Sequence, residues 1–198
     1  MSLPSFLQQA PPTVAVEVSP ERVAVVRVER RGAAASIAAH GVEALPPGAV
    51  SGALGAPNMT DPQSVAAAIQ RALATAGART SRVALVVPDS IARVSLVKFE
   101  SLPPKAADLD ELVRWQVKKT TPFPFDEAVV AYTPGAHSPG SHEFVVSVAR
   151  RDVVTQYERA CELAGVHAGL VDLATFNVIN AVLASARGQV AGDWLLVH

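Results

Sequence analysis

The 198 residues carry 17 Lys and Arg against 18 Asp and Glu, a formal net charge of -1, with 49% apolar residues and one cysteine. This composition suits a packed core in one large domain or two small ones, offers no basic run for nucleic acid or an anionic membrane surface, and excludes an internal disulfide or a multi-cysteine metal site. No apolar run approaches the roughly 20 residues of a spanning helix, and the amino-terminus lacks the basic and apolar segments of a signal peptide, so the expectation is a soluble α/β protein of a reducing compartment.

Residues 1–12 are aperiodic, with Pro and Gln, and read as a loose leader. In residues 13–18, Val14, Val16 and Val18 alternate with Ala15 and Glu17. After the turn signal Ser19-Pro20-Glu21 the same period resumes over residues 22–29, which predicts a hairpin. Residues 33–40 extend it as a third strand, against the weak strand preference of Ala. Residues 46–57 are rich in Gly and Pro and form a connection. Asp61-Pro62 then supplies an N-cap followed by Pro at the first helical position, and Val65, Ile69, Ala72, Leu73 and Ala76 form one stripe before Gly77 ends the helix. Residues 82–87 are a buried type of strand, Pro88-Asp89-Ser90 a turn, and residues 91–99 another strand with Arg93, Ser95 and Val97 on one face and Ala92, Val94, Leu96 and Lys98 on the other.

Residues 108–132 hold four of the few aromatic residues: Trp115, Phe123, Phe125 and Tyr132. Leu109, Leu112, Val113 and Val117 mark one helical face, and Asp108 with Glu111 three residues on predicts a capping box. Trp115 falls roughly 120° from Leu109 around that helix, off the stripe. There it either caps the edge of the core or lines a partner groove. Pro122 and Pro124 hold Thr121 and Phe123 extended, so the helix must stop before them. Strands follow over residues 128–132 and 143–149, separated by a flexible loop at 134–141. A helix from Asp152 carries Val153 or Val154, Tyr157, Cys161 and Ala164 on its stripe and stops at Gly165. Cys161 on that stripe reads as a buried, inert thiol. A short strand and a helix marked by Phe176, Ile179, Val182 and Leu183 come next, then a connection at 188–192 and a strand beginning at 193–198. His167 and Asp172, without a patterned nucleophile or second carboxylate, read as a surface His and a structural Asp.

The helix with Trp115, followed by Thr-Thr-Pro-Phe-Pro-Phe-Asp-Glu-Ala-Val-Val-Ala-Tyr, resembles the Trp-containing helix and Pro-Phe-Pro strand entry of the type IV pilus assembly protein PilM family. The run Val-Val-Pro-Asp-Ser-Ile-Ala-Arg-Val-Ser-Leu-Val with its Leu-Pro-Pro, and the Ala-Gly-Leu and Val-Asp segment near Leu170, are similar to the family as well. The resemblance implies an actin-like (RNase H-like) lobe, residues 13–89 and 166–198, interrupted over 90–165 by a strand-helix-strand-strand subdomain of the kind found in FtsA-like and PilM-like proteins. It covers nearly the whole chain from about residue 13, but only the first half of a full family member, so a complete nucleotide cleft is not expected from this chain alone. In actin-like ATPases the first hairpin holds a phosphate loop of the form Asp-x-Gly-x-x-x-x-Lys. Here Glu17, Ser19 and Ala24 stand at those positions, a degenerate cofactor-binding set, so no catalytic residue and no cofactor is expected, with ATP and Mg reserved for a full-length relative.

By the same resemblance the function is that of a cytoplasmic scaffold at the inner-membrane face of a type IV pilus or related secretion machine, without nucleic acid and without direct membrane insertion. Its partner would be a short cytoplasmic peptide of a PilN-like inner-membrane protein, bound between lobe and subdomain through Trp115, Phe123 and Phe125, with pilus motor or platform proteins beside it. Two alternatives share these residues: an ATP-binding actin-like protein of which this is a fragment, and the cytoplasmic domain of a GspL-type protein of type II secretion.

Overall fold

The computed structural model describes residues 11–32, 34–138 and 140–184. In chain order the elements are β1 (Val14–Val18), β2 (Arg22–Arg31), β3 (Ala34–Ala44), α1 (Pro62–Thr75), β4 (Arg82–Val87), β5 (Ala92–Phe99), α2 (Ala106–Lys118), β6 (Ala128–Ser138), β7 (Ser141–Arg150), α3 (Arg151–Leu163), β8 (His167–Leu173) and α4 (Ala174–Ala184), with short 3-10 turns at Asp89–Ile91 and Phe125–Glu127. The expected connection at 188–192 and strand at 193–198 lie outside the described residues, as does most of the leader. Two compact units divide the chain: Met1–Ser51, Met59–Pro88 and Tyr157–His198 form the first, Gly52–Asn58 and Asp89–Gln156 the second.

The first unit is built on a five-stranded sheet of order β3-β2-β1-β4-β8, antiparallel through the opening meander and parallel from β1 to β4 to β8. Period-two alternation turns Val14, Val16 and Val18 to one face, with Val16 opposite Val25 of β2 and Leu85 of β4. All of these are buried, together with Val65, Ile69, Ala72 and Leu73 of α1. Each buried Val, Leu or Ile contributes on the order of 1.5–3 kcal/mol relative to exposure. β3 runs four residues past the expected His40, because pairing along β2 from Arg22↔Ala44 to Arg31↔Ala34 overrides the weak propensity of its alanines. The helix α1 starts as its sequence demands: the Asp61 side chain accepts from Ser64 N–H at 3.0 Å, and Gly77, at φ +59, lets Ala78 N–H reach the Leu73 carbonyl at 2.9 Å.

In the second unit α2 covers one face of a three-stranded antiparallel sheet of order β5-β7-β6. Val113 and Val117 of the helix meet Val97, Ala128, Phe144, Val146 and Val148 of the strands, with Tyr132 edge-on to Phe144 at 5.7 Å between centroids. Three expectations change here. The capping box on Asp108 and Glu111 does not form: α2 opens at Ala106 behind Lys105, which makes no side-chain cap bond. Pro103 and Pro104 keep the chain extended up to that point, and Asp108 falls inside the first turn, where its charge still suits the helix dipole. Leu112 is half-buried and stands outside the core cluster that Val113 and Val117 occupy. The loop expected at 134–141 is mostly strand, since β6 accommodates Pro134 with a register shift before His137 and continues to Ser138. The helix end obeys the sequence: Thr120 N–H and the hydroxyls of Thr120 and Thr121 all donate to the Val117 carbonyl, at 3.1, 3.1 and 2.9 Å.

Asn58 is the one fully buried polar side chain among the described residues. Its amide accepts from Ala53 N–H at 2.8 Å and donates to the carbonyls of Ala53 and Ala56 at 2.8 and 2.9 Å, while its own N–H donates to Gln156 Oε1 at 2.7 Å. With Arg150 Nη1 donating to the Gly55 carbonyl at 2.7 Å, the loop Gly52–Asn58 is tied to the second unit.

Candidate functional site

The hairpin between β1 and β2 is the place where a phosphate loop would lie, and the amides of Ser19 and Arg22 in its turn are already engaged. Ser19 N–H and Ser19 Oγ both donate to the Arg22 carbonyl, at 2.9 and 3.0 Å. Arg22 N–H donates back to Ser19 Oγ at 3.2 Å. Pro20 has no N–H at all. A phosphate-binding turn needs several N–H groups aimed outward at the anion, and this one closes on itself. Glu17 stands opposite Ala24 in the ladder. Both line a pocket of about 290 Å³ on the sheet face away from Val14, Val16 and Val18, with Arg22, Val26, Val86 and Asn177. That volume falls just below the roughly 300–1,000 Å³ of small-molecule sites. Glu17 and Ala24 thus come together and Ser19 does not line the pocket. Arg22 escaped the sequence argument although it is two residues from Ala24 on one strand face. Asn177 arrives from α4 with no local signal; its amide donates to Asp172 Oδ2 at 3.1 Å and to the Leu173 carbonyl at 2.9 Å, which fastens the start of α4.

The three aromatic residues expected at a partner surface separate in the structure. Phe123 and Phe125 are half-buried and pack against the core of the second unit. Trp115 is 57% exposed and stands outside the core cluster. It sits two residues beyond Val113, about 200° around the helix, and Lys119, one turn on, places Nζ 4.4 Å from the ring centroid. A cation over an indole face is worth about 0.5–1 kcal/mol at an exposed site, enough to favour this ring orientation a few-fold.

His167 and Asp172 sit five residues apart on one strand, β8, which at about 3.3 Å per residue keeps them roughly 16 Å apart. Asp172 instead accepts from Leu173 N–H at 2.8 Å and from Asn177. Cys161 is fully buried on α3. Among the described residues no group of three His, Cys, Asp or Glu side chains is placed to hold a metal ion, and no helix is long and apolar enough to cross a membrane.

The sequence model of the type IV pilus assembly protein PilM family matches residues 15–191. Among solved structures, a chain of the PilM-PilN type IV pilus biogenesis complex superposes with a TM-score of 0.74 at 20% identity, over 87% of this chain and 50% of that one. The cytoplasmic domain of EpsL, an inner membrane component of the type II secretion system of Vibrio cholerae, aligns at 10% identity over 81% of this chain and 56% of that one, with a TM-score of 0.48, too low to bear on the fold. The chain spans about half the length of these solved structures. With its five-stranded lobe and its inserted strand-helix-strand-strand unit, it has the actin-like α/β fold and belongs to the type IV pilus assembly protein PilM family.

Proposed function

We propose that this chain is a scaffold of the type IV pilus assembly machinery, working on the cytoplasmic side of the inner membrane and binding a short peptide of a PilN-like membrane protein. The match of residues 15–191 to the PilM family carries the assembly role, and the likeness to a chain of a PilM-PilN complex suggests the partner. The exposed Trp115, with Lys119 over its ring, is the surface feature best suited to the contact. An indole presents a large rigid area at small entropic cost, and such residues dominate interface energetics. Phe123 and Phe125 pack against the core of the second unit and offer less free surface than Trp115. The self-closed turn at Ser19 and Arg22 and the uncharged Ala24 favour this reading over nucleotide hydrolysis, which needs pre-aimed ligands for phosphate and metal.

Calorimetric titration of the cytoplasmic peptide of a PilN-like protein tests the proposal. Trp115→Ala lowers peptide affinity by about 1–4 kcal/mol while leaving the unfolding midpoint near that of the parent. Unchanged affinity, or loss of fold in step with loss of binding, removes Trp115 from the interface.

A further inference from the structure

The three-stranded sheet of the second unit has β7 in the middle and β5 and β6 at its edges. β6 is poorly suited to accept another strand, since Pro134 has no N–H and the register slips between Pro134 and His137. β5 has no such protection. Its eight residues contain neither Pro nor Gly and pair with β7 without a shift from Ala92↔Ala149 to Phe99↔His142. A regular edge of this kind presents an aligned row of N–H and C=O groups.

The side chains beside that edge are specific. Val97 turns to the core, whereas Val94 and Leu96, on the opposite face, are 44% and 64% exposed. Their ladder neighbours there are Ser147 and Val145, so the strip next to the edge carries no charge until Lys98, which Glu143 neutralises at 3.2 Å. On the helix-covered side Arg93 is exposed and has no ion-pair partner among the described residues.

We propose that the β5 edge docks an extended segment of a partner protein as a fourth strand, with apolar residues laid against Val94 and Leu96 and a carboxylate facing Arg93. Main-chain hydrogen bonds supply affinity in such an addition, and the alternating side chains supply selectivity. Charge argues against a second copy of this strand as the occupant: β5 holds Arg93 and Lys98 and no acid, so a second β5 brings no carboxylate to Arg93 and adds two cations to an edge that already has two. The surface shares no residue with Trp115, so it stands independently of the scaffold reading.

The test uses the whole chain and a fluorescein-labelled, amidated peptide Thr-Val-Glu-Val-Thr-Val-Thr, followed by fluorescence anisotropy. Saturable binding is expected, lost when alternate backbone nitrogens of the peptide are methylated and about tenfold weaker when its Glu is replaced by Lys. Arg93→Glu reverses that preference, Leu96→Asp weakens both peptides, and Trp115→Ala changes neither. Arg93 and Leu96 are exposed, so both variants keep the parental circular dichroism and melting curve. The proposal is overturned by absence of saturation up to about 1 mM, by equal binding of the methylated peptide, or by indifference to Arg93→Glu. Sedimentation showing a wild-type dimer that Leu96→Asp dissociates assigns the edge to a second copy and overturns it as well.

Discussion

Cys161 shows how a single buried group reports on its surroundings. Burial first, and then the nearby carboxylates of Glu158 and Glu162, push its thiol up from 9.0 to about 12. Tyr157, one turn earlier on α3, is raised in the same way by burial. Both groups are neutral when protonated and ionise more readily in the unfolded chain, so the effect of Cys161 is complete below pH 9.0 and is lost as pH rises through about 12, while that of Tyr157 begins to fall only above pH 10.0. Urea midpoints are therefore expected to fall between about pH 9 and pH 11 and to be flatter between about pH 7 and pH 8. In the folded protein Cys161 resists iodoacetamide at neutral pH and is alkylated once denatured; equal rates in the two states would show the thiol to be open to solvent. The helix register in the second unit is settled the same way, residue by residue. Val113→Ala is expected to cost about 2 kcal/mol and Leu112→Ala about 1 kcal/mol or less, because only Val113 lies inside the cluster. The reverse order in chemical denaturation would mean that α2 is rotated.

At the scale of elements, α1 is held at both ends by side chains and backbone that its own sequence specifies. Asp61→Ala is expected to cost about 1 kcal/mol by freeing the Ser64 N–H. Where α1 crosses β3, the demand is on a glycine: a Cβ on Gly41 would run into the Ala72 carbonyl oxygen and stand 3.0 Å from Thr75 Cβ. Backbone cannot yield as a flexible side chain does. Gly41→Ala is expected to lower the melting temperature by several degrees, equivalent to about 1–3 kcal/mol, whereas Gly55→Ala, whose Cβ would meet nothing within 4 Å, leaves it nearly unchanged. Equal effects at the two sites would remove the close approach of β3 and α1. The strands of the second unit teach the complementary lesson. The order of strand, helix, strand and strand follows from periodicity, but the length of β6 does not, since Pro134 reads as a break and only pairing with β7 carries the strand past it.

For the whole molecule, the scaffold reading expects Mg-ATP to leave thermal unfolding where it is. A nucleotide at about 100 times its Kd would add about 2.7 kcal/mol, so a clear upward shift would return the hairpin of Glu17 and Arg22 to nucleotide chemistry. What the sequence by itself determined is whatever depends on neighbours within a few residues: the Val14, Val16, Val18 alternation, the Asp61-Pro62 start of α1, the stops at Gly77 and Gly165, and the end of α2 before Pro122. These are short-range sterics and hydrogen bonds, and the residues that satisfy them lie side by side in the chain. The resemblance carried by Trp115 and the Pro-Phe-Pro run reached the family and its fold in the same local way. Tertiary structure alone decided the rest. Asn58 is buried because Gln156, 98 residues away, accepts its N–H; Asn177 meets Glu17 and Arg22 only when α4 lies on the sheet; Phe123 and Phe125 turn to the core while Trp115 stays outside it. Each outcome rests on which distant surfaces cover one another, and side chains of like chemistry, such as three aromatic rings within eleven residues of one another, carry no mark of which of them will be covered.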